Sequence, residues 1–106
     1  RQLGDHIESA LDQRIALSDL ATLAGMSVHQ LLIAFRRTFG TTPTQYILAQ
    51  RLRRARWYLL NRNDDITGIA LACGFASHSH LSAAFKRDTG ITPRQFREGL
   101  RMRPLD

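Results

Sequence analysis

Residues 20–46, LATLAGMSVHQLLIAFRRTFGTTPTQY, recur in altered form as residues 69–96, IALACGFASHSHLSAAFKRDTGITPRQF. Leu20, Ala21 and Gly25 match Ile69, Ala70 and Gly74 at an offset of 49. Leu31, Phe35, Arg37, Gly40, Thr42, Pro43, Gln45 and Tyr46 match Leu81, Phe85, Arg87, Gly90, Thr92, Pro93, Gln95 and Phe96 at an offset of 50. The second copy therefore has one extra residue in the segment after its glycine. Two copies are too few for a solenoid. In a chain of 106 residues they predict two similar lobes within one small domain.

The punctuation of each copy is helical. Leu20, Ala21, Leu23 and Ala24 in one copy, and Ile66, Ile69, Ala70 and Cys73 in the other, form a short helical pattern. Gly25 or Gly74 closes it, where a left-handed backbone costs little without a Cβ. Ser27 or Ser77 then caps the start of a second helix. That helix is expected to bury Leu31 and Phe35, or Leu81 and Phe85, at a spacing of four. Gly40 or Gly90 stops it, and Thr42-Pro43 or Thr92-Pro93 begins another. Helix, tight glycine turn, helix is the helix-turn-helix arrangement, whose second helix enters the major groove in DNA binders.

Strand signals are almost absent, so the fold class is all-α. Between the copies, Leu48, Leu52, Ala55 and Leu59 mark one stripe of a helix expected from about Pro43 to Leu60. Arg51, Arg53, Arg54 and Arg56 surround that stripe. A turn over Asn61–Asp65 follows, with Asp65 or Asp64 as the next cap. Residues 5–13 read as an earlier amphipathic helix with Ile7, Ala10 and Leu11 inward, and residues 101–106 as a frayed tail.

Charge narrows the function. The formal net charge is +6 and the pI about 11.0. Residues 1–50 hold four arginines and four acids; residues 51–106 hold eleven basic and five acidic residues and carry the whole excess. Every basic residue but Lys86 is arginine, whose planar fork suits phosphate oxygens and guanine edges. The alternative on charge alone is a bundle whose basic face docks an acidic protein. His78, His80 and Cys73 do not form a zinc set: the histidines are two residues apart on a helix and there is no second cysteine. The lone cysteine excludes an internal disulfide and fits a reducing cytosol. No apolar run reaches the length of a membrane span. No nucleophile–base pair, paired carboxylates or phosphate-cradling glycine loop stands out, so neither an enzyme nor a cofactor is expected. The chain starts at Arg1 rather than Met, as a fragment of a longer protein would.

Leu20-Ala21, Gly25-Met26-Ser27, Leu31, Phe35, Gly40, Thr42-Pro43, Tyr46, Arg51, Ala55 and Leu59-Leu60, followed by Ile69-Ala70, Gly74-Phe75, Ser77, Leu81, Phe85-Lys86, Gly90, Thr92-Pro93 and Arg97, make a familiar pattern. The chain resembles the DNA-binding domain of the AraC family of bacterial transcription regulators over nearly its whole length. The resemblance implies about seven helices: a first helix-turn-helix lobe over 1–42, a linker helix over 43–60 and a second lobe over 61–106. It also implies double-stranded promoter DNA and RNA polymerase as partners, a bacterial cytoplasmic location, and a preceding effector-sensing or dimerising domain. A DNA-targeting module attached to an enzyme is the rival arrangement.

The recognition helices carry over as residues 28–39 and 78–89. Base-facing positions then fall on His29, Leu32 and Ile33 in the first and on His78, Ser79, Ser82 and Ala83 in the second. Many family members have arginine or glutamine in place of Leu32 and Ile33, and arginine in place of Ala83. Apolar side chains there suit thymine methyls, or a lobe that mainly grips the backbone. Arg36, Arg37, Lys86 and Arg87, just beyond each core phenylalanine, are assigned to phosphate. The capping Ser27 and Ser77 join them, with Arg51 by family likeness.

Overall fold

A computed structural model describes residues 2–102. Seven helices follow one another, and no strand occurs among the described residues: α1 (Gln2–Ser9), α2 (Leu17–Ala24), α3 (Val28–Phe39), α4 (Pro43–Asn61), α5 (Ile66–Ala72), α6 (His78–Thr89) and α7 (Pro93–Met102). The chain divides into two compact units, Arg1–Gln50 and Arg51–Asp106, with the boundary inside α4.

In the first unit, Ile7, Leu11, Leu20, Ala21, Leu31, Phe35 and Ile47 form the buried cluster, with Phe39 and Tyr46 packed against it. The Phe35 ring lies 4.3 Å from Phe39 and meets Tyr46 edge-on at 5.4 Å. The second unit buries Leu52, Ala55, Leu59, Ile66, Ile69, Ala70, Cys73, Phe75, Leu81 and Phe85. Phe85 meets Phe96 edge-on at 5.3 Å, at the place where Phe35 meets Tyr46.

The repeat extends to single hydrogen bonds. Gly25, at φ 69°, closes α2: its N–H reaches the Thr22 carbonyl, and the Met26 N–H reaches Ala21 at 2.9 Å. This double closure satisfies carbonyls that the helix end leaves unpaired. Gly74, at φ 91°, and Phe75 make the same two bonds to Leu71 and Ala70. Helix α5 itself stops at Ala72, with Cys73 at the cap, one residue before the Gly74 expected to close it. Asp65, rather than Asp64, caps α5 by accepting the Gly68 N–H at 2.8 Å.

Four expectations need correction. Helix α1 covers Gln2–Ser9 rather than 5–13, followed by a turn; Ser9 Oγ donates to the His6 carbonyl, which favours an ending there. Ala10 is half-buried, whereas Ile7 and Leu11 are buried. On α4 Ile47 is buried and Leu48 only half-buried, because Ile47 is the residue that joins the first unit's cluster. Arg101 and Met102 continue α7 rather than fraying; the rest of the expected tail, 103–106, lies outside the described residues.

Helix α4 runs unbroken for 19 residues. Its start is held by a reciprocal cap: the Gln45 N–H donates to Thr42 Oγ1 at 3.2 Å, and the Thr42 N–H to Gln45 Oε1 at 3.3 Å. Thr92 and Gln95 repeat this at the start of α7. In the second unit, Arg97 donates to the carbonyls of Leu59 at 3.4 Å and Arg62 at 3.2 Å. A cation on the unpaired carbonyls at a helix C-terminus is favourable. Arg56 pairs with Asp88 at 3.3 Å, tying α4 to α6. Cys73 is fully buried, and burial pushes its thiol up to about 11 while Arg54 pulls weakly the other way.

Candidate nucleic-acid interface

The turn before α3 is closed by a reciprocal pair of hydrogen bonds. Ser27 Oγ accepts the Gln30 N–H at 3.1 Å, and Gln30 Oε1 accepts the Ser27 N–H at 3.0 Å. This capping box fixes where the helix starts and therefore which side chains its first turns present. Leu31 and Phe35 point into the core at 1% exposure each. The helical period then turns Leu32 and Ile33 outward, and they are 37% and 47% exposed. His29, Leu32, Ile33, Arg36 and Arg37 line one shallow surface depression. Five of the residues assigned to DNA on the first lobe are thus brought together.

The electrostatics of that surface follow from the sequence. Residues 20–50 contain no acid at all; the first unit's four acids lie between Asp5 and Asp19. Arg36 and Arg37 are exposed in the last turn of α3. An apolar centre edged by arginines suits a duplex: thymine methyls lie inside the groove and phosphates along its wall.

Helix α6 repeats the arrangement with different chemistry. Leu81 and Phe85 are fully buried, and Ser77 Oγ accepts the His80 N–H at 3.0 Å. His78, Ser79 and Ala83 are exposed, and Ser82 is half-buried beside Leu81. Lys86 and Arg87 are exposed in the last turn. Positions 78, 79, 82, 83 and 86 share one helical face. Both capping serines use their hydroxyl oxygens to accept helix N–H groups, leaving each O–H to donate outward. Arg51 is half-buried, and burial lowers its pKa from the ordinary guanidinium value, though not enough to discharge it.

Three contributors went unassigned on the sequence. Gln45 and Gln95 matched between the copies, and their spacing of three from Thr42 and Thr92 is the signal of a capping box. Arg97 belonged to the matched pattern without a role; its bonds to the end of α4 give it a structural one. Among the described residues, no group of three or more His, Cys, Asp or Glu side chains could hold a metal ion. No single described helix is long and apolar enough to cross a membrane.

A family profile described as a helix-turn-helix domain matches residues 20–99. The activator RhaS of Escherichia fergusonii is 36% identical over 97 residues, which cover 92% of this chain and 34% of that protein. The probable transcriptional regulator LumQ of Photobacterium leiognathi is 32% identical over 94 residues, 89% of this chain and 38% of that protein. The chain thus spans about a third of the length of these curated relatives. Among solved structures, an AraC-type regulator from Chromobacterium violaceum superposes with a TM-score of 0.85 at 35% identity, covering 97% of this chain and 91% of that one. The DNA-binding domain of the transcription factor AdpA, solved with a target DNA, superposes with a TM-score of 0.91 at 27% identity, covering 94% of this chain and 90% of that one.

Proposed function

The chain belongs to the AraC-type helix-turn-helix family of DNA-binding domains, and from that premise we propose that it reads one non-palindromic promoter site with both recognition helices, α3 and α6, in successive major grooves. The lobes over 1–42 and 61–106 carry the reading heads, and the helix over 43–60 connects them. The observation that carries this reading is the exposed, acid-free face of α3, where Leu32 and Ile33 sit between His29 and the two arginines. Its counterpart on α6 supports it. Selection of binding sites from randomised duplexes, followed by footprinting, tests it. A footprint confined to one groove, unaffected by changes at His78 and Ser82, contradicts it.

The whole protein then acts on transcription by occupying a promoter and recruiting or blocking RNA polymerase in the bacterial cytoplasm, through binding rather than chemistry. A preceding domain would supply effector sensing or dimerisation. The support is that the relatives are transcription regulators about three times the length of this chain.

The two heads should read differently. Leu32 and Ile33 can only make apolar contact, so Ile33→Ala should weaken a preference for thymine, or change little where the lobe clamps backbone. Ser82→Ala should alter base preference in the other half-site. A guanine preference in the first half-site that vanishes with Ile33→Ala would show that the helix faces are assigned wrongly, since isoleucine has no donor for guanine.

Arg36, Arg37, Lys86 and Arg87 grip phosphate in this reading. A phosphate contact releases counterions and carries no sequence information. Arg87→Ala should therefore weaken selected and scrambled duplexes alike and make the slope of log K against log salt shallower by about 1. The check is a salt titration of both proteins on both duplexes. Loss confined to the selected site would assign Arg87 to a base instead.

A further inference from the structure

The two recognition helices are pinned differently at their entry. In the first unit the Gln30 amide oxygen takes the N–H of the capping Ser27. The second unit has the extra residue of the repeat at this turn, and there the His80 ring takes over: Nδ1 accepts the Ala76 N–H at 3.1 Å. The His80 backbone N–H bonds Ser77 Oγ at 3.0 Å, and its ring stands edge-on to the buried Phe75 at 5.2 Å. One side chain thus joins the closing turn of α5 to the first turn of α6.

We propose that His80 is a positioning residue for DNA reading, its neutral imidazole holding the turn that aims His78, Ser79 and Ser82, so that protonation of this ring loosens the second reading head. This rests on the DNA-reading role of α6. An imidazole accepts at Nδ1 only as the neutral tautomer with its proton on Nε2. A charged ring has two N–H donors and no acceptor to offer the Ala76 N–H. It would also place a cation in the first turn of a helix, where the backbone dipole disfavours one. The contribution is present while the imidazole is neutral and is lost once the ring is protonated.

The groups around the ring leave this sign intact. Helix α5 has no ionisable side chain, and the turn before α6 has only the buried Cys73. On α6 itself lie His78 in the same turn and Lys86, Arg87 and Asp88 at the far end, Asp88 being paired with Arg56 of α4. Helix α7, packed on α6, carries Arg94, Arg97, Glu98 and Arg101, and Arg97 is committed to carbonyls at the end of α4. No acid is within ion-pair distance of His80 among the described residues. His29 and His78 are themselves base-facing in this reading, so a change at either would alter DNA contacts directly.

The test is therefore a comparison that keeps both of those histidines. Affinity for a selected duplex is measured at about pH 8 and about pH 5.5, at constant ionic strength, for the intact chain, His80→Gln and His80→Phe. Glutamine accepts a hydrogen bond in either condition; phenylalanine never does. On acidification the wild type should lose about three- to tenfold affinity relative to His80→Gln, the range of one hydrogen bond. His80→Phe should bind more weakly than His80→Gln at the higher pH. In the DNA-free protein the Ala76 amide nitrogen shift should titrate with the His80 ring. Parallel pH profiles for wild type and His80→Gln, or an Ala76 amide indifferent to the ring's titration, overturn the role of His80. A wild type that binds no duplex even at the higher pH, while the Ala76 amide still titrates, overturns instead the DNA-reading role of α6.

Discussion

Alanine at Phe85 is expected to cost about 3–5 kcal/mol of stability, the range for removing a buried aromatic ring and leaving a cavity. Phe85 is fully buried, its ring sits edge-on to Phe96, and it lies one turn from the fully buried Leu81. Small domains hold only about 5–15 kcal/mol in total. A unit of this size would lose most of its folded population near body temperature, and DNA binding would collapse with it. Urea denaturation followed by circular dichroism measures the effect. Phe85→Leu keeps most of the volume and should cost far less. A loss under about 1.5 kcal/mol for the alanine variant would mean that the α6 helix does not depend on this ring for packing.

The second large effect is expected at the boundary between the units. If α4 fixes the rotational phase of the two reading heads, its length matters more than its composition. Two alanines inserted between Gln50 and Arg51 would turn one half of α4 against the other by about 200° and lengthen it by about 3 Å. Ile47 would stay with the first unit, and Leu52, Ala55 and Leu59 with the second, so each keeps its buried residues. Affinity for a two-groove site should fall by about 100-fold, because the second head can no longer bind intramolecularly. Four inserted alanines return to within about 40° of the starting phase, with about 6 Å of added length. That variant should recover part of the loss on sites with altered half-site spacing. Equal affinity for all three proteins on the wild-type site would show that only one head grips DNA.

What could be read from the sequence was local. Gly25, Ser27, Gly40, Asp65 and Ser77 announce helix ends because the bonds that end a helix reach only a few residues. The outward turn of Leu32 and Ile33 followed from placing Leu31 and Phe35 inward on a 3.6-residue period. Helix α1 was misplaced because Ala10 and Leu11 continue its apolar spacing past Ser9, where the helix gives way to a turn. Ile47 and Leu48 are both apolar and only about 100° apart on the helix; which of them is buried depends on the distant residues of the first unit's cluster. The Arg56–Asp88 pair and the Arg97 contacts span 32 to 38 positions along the chain, beyond the reach of any local pattern. At the interface, the clustering of His29, Leu32, Ile33, Arg36 and Arg37 was legible from helical spacing. The His80 pin was not, because it depends on the path taken by one extra residue.

The buried state of Cys73 has a consequence for anyone wishing to watch this domain work. Only the thiolate reacts readily with maleimides, iodoacetamide or peroxide. With its thiol pushed up to about 11, Cys73 holds roughly one thiolate in ten thousand at neutral pH, and its sulfur is closed off from solvent. The natural chain is therefore already silent toward thiol chemistry. A reporter dye can be attached through a new surface cysteine without first removing the native one, which would leave a hole in the second unit. Slow labelling of Cys73 would time the opening of that unit alone, because the first unit contains no sulfhydryl to confuse the signal.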